Sequence, residues 1–345
     1  MPSKVELHRL ETRLAAQPVE YAVILPSSYD SAGPPLPLCL VLHGGGGSHE
    51  NLVMTQPLFD ALWDEGSLPP LVLASASIHP LGFYVDVRGG PQWETLIAEE
   101  FPARLRDAYN VRSDPSGTVV TGVSMGGHGS LKLAFRHPER YAAVAAVEPA
   151  VEPAFRRADL GARNLFYRER ENDLLLFGRP LDAALWEANN PASIARDNAD
   201  AIRGSGLQIY LEAGDEDELN LHDGSEFLHR VLWDLDVAHE YHLVGGAGHV
   251  GPSLPVRLLE CFRWLGAALA GRSEQDDGSA YIAAESAWLE WARGGFEGDE
   301  PAEPIDLTGP RGRRLLRAVN RERIDAALAA DPSTARRYGR LPEPR

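Results

Sequence analysis

The stretch that most constrains this chain is Gly122-Val123-Ser124-Met125-Gly126. Thr118-Val119-Val120-Thr121 precedes it, a short β-branched run of the kind that forms a buried strand. Gly127-His128-Gly129-Ser130-Leu131-Lys132-Leu133-Ala134 follows and opens a helix. A strand that turns into a helix within one residue strains the backbone at that residue, and the neighbours must be small to let strand and helix cross. The serine at such a turn stands clear of the sheet, at a helix N-terminus whose free N–H groups attract an anion. G-x-S-x-G between a strand and a helix is the nucleophile-elbow pattern. The alternative is a Gly/Ser-rich turn without chemistry, and the order strand, elbow, helix argues against it.

Upstream, two strand-like stretches occupy residues 5 to 25, and Leu38-Cys39-Leu40-Val41-Leu42 is a continuous apolar run suited to a central parallel strand. It ends in His43-Gly44-Gly45-Gly46-Gly47-Ser48. A glycine run straight after a buried strand matches a loop that lends a backbone N–H to an oxyanion. The expected donors are Met125, the residue after the serine, and one glycine of the run, Gly45, with Gly44 beside it. A phosphate loop is disfavoured, because neither G-x-x-x-x-G-K-[ST] nor G-x-G-x-x-G leading into a helix is present. His43 is read as a structural residue that holds the loop by a hydrogen bond.

Further strands are expected at 71–76, 141–147, 207–213 and 239–244, and helices at 51–65 (interrupted by Pro57), 93–109, 222–235 and 256–270. Strands alternating with helices predict an α/β fold: an open, mostly parallel sheet with helices on both faces. Residues 148–206 are long for a crossover and read as a cap-like insertion that helps choose the substrate, or as an ordinary crossover with extra helices. Trp93, in the loop region after the fourth strand, and Trp186, in the insertion, are the candidate substrate-binding aromatics. Core packing is the alternative for both.

A serine needs a base, and the base needs a carboxylate. In α/β-hydrolases the chain order is Ser, then Asp or Glu, then His. Asp215 is the first acid past the strand at 207–213, and His249 lies in the Gly-rich loop Gly245-Gly246-Ala247-Gly248-His249. The expected triad is Ser124, Asp215 and His249. Asp217, Glu218 and Asp223 compete for the acid; His222, His239 and His242 compete for the base. No H-E-x-x-H or tight His/Cys pair is present, so neither a metal nor another cofactor is expected.

At −17 the net charge argues against nucleic acid as a main partner. Cys39 and Cys261 are expected to be buried free thiols. The N-terminal segment carries no apolar run of the signal-peptide kind and no stretch approaches a membrane span, so a cytoplasmic protein with no membrane association is expected.

Gly122 to Leu131 is similar to the elbow of the esterase D-type "putative esterase" family of α/β-hydrolases. That family includes S-formylglutathione hydrolases, feruloyl esterases, enterochelin-type esterases and mycolyltransferases. The likeness extends to Leu42-His43-Gly44-Gly45-Gly46, Gly214-Asp215-Glu216-Asp217 and Gly248-His249, over about residues 15 to 270. S-formylglutathione hydrolases usually carry a Cys-containing sequence where this chain has its glycine run. The resemblance implies the α/β-hydrolase fold over 1–270 and a serine hydrolase acting on a small-molecule carboxylic ester. The same machinery could serve an acyltransferase, and a catalytically silent binding protein could sit on the same scaffold.

Residues 271–345 read as a C-terminal extension: a linker at 273–279, a helix at 280–293, and an Arg-rich end with one short helix near 313–330. From Pro301 onward ten Arg face six acidic residues, a local +4. Such an arm could dock on the protein's own acidic surface or on a neighbouring subunit, which would make the chain a homo-oligomer, or bind an acidic partner; a partly disordered extension is the alternative.

Overall fold

The computed structural model describes residues 2–165 and 170–271, with the helical positions 287, 290, 291 and 326. The chain divides into two units, Met1–Arg272 and Ser273–Arg345. The linker and helices expected beyond 272 lie outside the described residues, apart from those four positions.

Eight strands form one sheet: β1 (Lys4–Leu10), β2 (Val19–Leu25), β3 (Leu38–Leu42), β4 (Val72–Ala76), β5 (Thr118–Val123), β6 (Ala143–Val147), β7 (Gln208–Gly214) and β8 (Glu240–Val244), in the order β1-β2-β4-β3-β5-β6-β7-β8. β1 pairs antiparallel with β2 and β2 with β4; every other pairing is parallel. The central strands β3, β4 and β6 are largely apolar because both faces are covered, whereas β8 at the sheet edge carries the exposed Glu240 and His242. Leu38, Leu40 and Leu42 pack into one layer while Cys39 faces the other, and Val144 and Ala146 alternate in the same way with Ala143, Ala145 and Val147.

The principal helices are α1 (Glu50–Met54), α2 (Gln56–Asp64), α3 (Phe101–Ala108), α4 (Met125–Arg136), α5 (Arg170–Phe177), α6 (Ala183–Asn189), α7 (Pro191–Asp197), α8 (Ala199–Ser205), α9 (Leu221–Asp234) and α10 (Leu254–Ala270). α3, α4 and α9 contribute to one core layer; α2 and α10 to the other. The break expected at Pro57 falls at Thr55, so that Pro57 sits in the first turn of α2, where its missing N–H costs nothing. The helix expected over 93–109 is interrupted by a π-turn at Leu96–Glu100 just ahead of Pro102, which cannot donate to a preceding carbonyl.

Cys39 and Cys261 are free and buried, and burial pushes the Cys261 thiol up to about 12. The 148–206 segment does two things. Its second half, α7 and α8, is crossover that packs on the sheet layer through Ala192, Ile194, Ala195 and Ile202. Its first half brings Asn172 and Asp173 to the cavity described below.

Candidate active site

The elbow is built by β5, α4 and the end of β6. Ser124 has φ 59° and ψ −119°, a strained conformation for a residue with a side chain. It persists because both its backbone groups are tied to the β6 end: Ser124 N–H donates to the Val147 carbonyl at 2.9 Å, and the Ser124 carbonyl accepts from Ala150 N at 3.1 Å. A Cβ on Gly126 would overlap the Leu42 carbonyl, and one on Gly122 would overlap the Gly126 backbone, so strand and helix cross only through glycine.

The structure brings Ser124 and His249 together: His249 Nε2 lies 3.0 Å from Ser124 Oγ. The acid differs from the one expected. His249 Nδ1 lies 3.1 Å from Oδ2 of Asp217, whose side chain is fully buried. Asp215 instead accepts from Gly246 N through Oδ1 and stays exposed. The chain leaving β7 turns tightly, with Asp215 N bonded to Val244 O and Glu216 N to Ala247 O, so the third residue of the turn, not the first, faces the histidine. Burial alone would raise the Asp217 carboxyl, but the hydrogen bond and charge of His249 bring it below its ordinary value. Of the other acids weighed, Glu218 holds the histidine loop, accepting from His249 N at 3.0 Å, and Asp223 pairs with Arg163 at 2.9 Å. His239 pairs with His229, His242 stacks on Tyr210, and His222 sits beside Asp223.

The glycine loop is fixed from behind. His43 is buried; its Nε2 accepts from Ile78 N at 3.1 Å, which leaves Nδ1–H to donate to the Gly44 carbonyl at 2.9 Å. Burial lowers its pKa. The Tyr84 hydroxyl donates to the His43 carbonyl at 3.0 Å, and the Tyr84 ring fills the space that a side chain at Gly129 would need. Gly46 N donates to Pro80 O and Gly47 N to Gly44 O. Among the described residues the amides of Gly44 and Gly45 have no such carbonyl partner, and Gly44 sits close beside the Ser124 Cβ. Met125, first residue of α4, has one of the amides that a helix leaves unpaired.

Trp93 and Trp186 line neither Ser124 nor the cavity around it. Trp93 packs into the main core with Leu96 and Ile97; Trp186 packs with Val85, Leu176 and Phe177. Each indole is nine-tenths or more buried, so core packing accounts for both. A cavity of about 680 Å³ does open at Ser124. It runs from Gly44, Gly45, Met125 and His249 to walls of Leu52, Phe59, Leu81, Leu258 and Phe262, with Asn172 and Asp173 among its polar lining.

Two residues of the site carried no sequence signal. Glu148, at φ 47° just past β6, and Arg257, in α10, are both buried behind the Ser124–His249–Asp217 row. Arg257 Nη1 donates to the Gly248 carbonyl at 2.9 Å, Nε to Glu212 at 2.9 Å, and Nη2 to both Glu148 and Glu212. Glu148, Asp217 and His249 each offer an atom within 4.8 Å of the others, a spacing a metal could use. The guanidinium on Glu148 Oε1 and the Ser124 hydroxyl on His249 Nε2 account for that cluster without one.

Residues 14–232 match the family described as "Putative esterase". The chain belongs to that esterase family. Esterase Rv1288 of Mycobacterium tuberculosis is 28% identical over 249 residues, 66% of this chain and 52% of that protein. The S-formylglutathione hydrolase of Bos taurus is 30% identical over 149 residues, 41% of this chain and 46% of that one. This esterase-family chain thus spans about half the length of the curated relatives it matches. Among solved structures, a ferulic acid esterase superposes with a TM-score of 0.65 at 18% identity, over 78% of this chain and 99% of that one. FphF, a fluorophosphonate-binding serine hydrolase of Staphylococcus aureus, superposes with 0.63 at 17%, over 77% and 99%. These neighbours place the fold among the α/β-hydrolases. No helix among the described residues is long and apolar enough to cross a membrane.

Proposed function

We propose that this chain is a serine esterase that cleaves a small-molecule carboxylic ester through an acyl-enzyme on Ser124. The observation that carries the reading is the row Ser124 Oγ, His249 Nε2, His249 Nδ1, Asp217 Oδ2, with spacings of 3.0 and 3.1 Å, opening into a mostly apolar cavity. In this row His249 is neutral, its Nδ1–H donating to Asp217 and its Nε2 accepting from the serine. As Oγ attacks the ester carbonyl, His249 takes its proton and Asp217 stabilises the imidazolium. The proton then goes to the departing alcohol. The amides of Met125 and Gly45, with Gly44 beside them, hold the oxyanion. Water activated by His249 releases the acid and restores the serine.

The apolar walls support an apolar acyl group, because burying such a group in this cavity gains about 25 cal/mol per Å² of apolar surface. Turnover of p-nitrophenyl esters is expected to rise from acetyl to longer acyl chains before it falls, and Ser124→Ala is expected at background. A fluorophosphonate is expected to label Ser124. Absence of that label would overturn the serine-hydrolase reading, and activity falling from acetyl onward would remove the acyl group from the cavity.

A further inference from the structure

Glu148 stands next to Asp217, the carboxylate that faces His249. It is fully buried, at the C-terminal end of β6. Its own N–H is bonded to the Glu212 carbonyl at 2.8 Å. Its two carboxyl oxygens stand in unlike surroundings. Oε1 accepts from Gly214 N at 2.7 Å and from Arg257. Oε2 has no donor directed to it, and the Asp217 carboxyl is a neighbour of this side chain.

Consider the charges that meet here. From β6 comes Glu148, from β7 Glu212, from the turn after β7 Asp217, and from α10 Arg257. His249 faces Asp217, and Tyr241 of β8 lies within electrostatic range of Glu148 and Glu212. With His249 neutral, three carboxylates would share one guanidinium in a site closed to water. A buried anionic oxygen without a donor is costly, and two adjacent carboxylates cannot both ionise freely. Glu212 Oε2 also lacks a donor and burial raises that carboxyl too, but Glu212 spends both of its Arg257 hydrogen bonds on Oε1 and is not part of the Glu148–Asp217–His249 cluster. One proton on Glu148 Oε2 removes the surplus charge and supplies the missing donor.

We propose that Glu148 is a positioning residue, a carboxylic acid whose Oε2–H donates to the Asp217 carboxylate and holds it against His249, so that the row behind the serine has four members. This rests on the serine-esterase reading of the site. Burial is the main cause that pushes the Glu148 carboxyl up, to about 8, with Asp217 adding to it against the pull of Arg257 and the Gly214 amide. Above that pH Glu148 becomes a second anion beside Asp217 and repels the carboxylate it had held.

The test uses Glu148→Gln in the full chain. A glutamine keeps an acceptor for Gly214 N and Arg257 and presents an N–H to Asp217, so it copies the protonated acid and cannot ionise. Wild-type kcat/KM is expected to break downward near pH 8, falling about tenfold per pH unit beyond it. Glu148→Gln is expected to lack that break, holding its own neutral-pH value through the same range, while Glu212→Gln retains the break. Infrared difference spectra are expected to show a protonated-carboxyl band in wild type at neutral pH that Glu148→Gln removes. A break that persists in Glu148→Gln or disappears in Glu212→Gln would overturn the proposal, as would a spectrum without that band. The infrared measurement needs no turnover, and fluorophosphonate labelling of Ser124 reports on the esterase reading alone, so the two can fail separately.

Discussion

Two aspartates two residues apart have different work. Asp217 Oδ1 accepts from Leu219 N at 2.6 Å, which leaves Oδ2 aimed at His249. Asp215 closes the neighbouring loop through Gly246 N. Asp217→Asn would place an amide where the histidine needs an acceptor and favour the wrong tautomer; kcat is expected to fall by about 10⁴-fold, as when a triad carboxylate is made an amide elsewhere. Asp215→Asn keeps an oxygen for Gly246 and sits at an exposed position, so kcat is expected to stay within about twofold. Steady-state kinetics on the two variants decide between the acids, and the reverse ranking would return the role to Asp215. Ser124 and His249 were legible because each is announced by its neighbours, small residues on both sides of the serine and a Gly-rich loop before the histidine. The acid has no such announcement. Proximity to the strand end favours Asp215, but the turn after Gly214 is set by hydrogen bonds from Asp215 and Glu216 to Val244 and Ala247, in a distant part of the chain.

At the scale of elements, α4 is secured by more than its glycines. Lys132, in its second turn, is fully buried. Its ammonium lies 3.0 Å from Glu94 Oε2 and 2.9 Å from Asn189 Oδ1, and it donates to the Tyr84 carbonyl. Glu94 also pairs with Arg136 one turn further along α4. One cation thus links the elbow helix to the helix after the β4 loop, to α6 and to the segment that braces the glycine loop. Lys132→Met would leave the Tyr84 and Asn189 oxygens without their donor and Glu94 with one partner. Removing one member of such a pair costs about 3–5 kcal/mol, to be read as a lower midpoint in urea unfolding. Adding Glu94→Leu to it is expected to recover part of the loss, because the uncompensated charge goes with it. A lysine in an amphipathic pattern ordinarily marks the solvent side, so this contact was not legible. The two tryptophans illustrate the same limit: sequence places Trp93 in the loop region after the fourth strand and Trp186 in the 148–206 insertion, but which way an indole turns depends on partners such as Val85 and Phe177. The central strands β3, β4 and β6 were legible to within two residues, since doubly covered parallel strands must be largely apolar.

For the molecule as a whole, stability against pH reads the buried cluster behind Asp217 and His249. The chain carries −17, so self-repulsion among surface carboxylates makes every variant respond to pH. That common response cancels when Glu148→Gln is compared with wild type at each pH. What remains is the ionisation of Glu148. In the unfolded chain this carboxyl takes its ordinary value of 4.5, and in the folded chain burial lifts it to about 8. Between those values the folded protein binds one more proton than the unfolded one, so this group favours folding fully below 4.5 and progressively less as pH rises through the window. Asp217 runs the other way: its lowered value favours folding above the ordinary aspartate range, and that contribution is lost in acid, outside the window. Glutamine takes up no proton in either state. The stability of Glu148→Gln relative to wild type is therefore expected to improve steadily from pH 5 to pH 8, by at most about 1.4 kcal/mol per pH unit, and to level off above. Urea unfolding at four pH values through the window checks it. A difference that does not change with pH would mean that folding leaves Glu148 ionised, with Arg257 alone sufficient to hold three buried carboxylates.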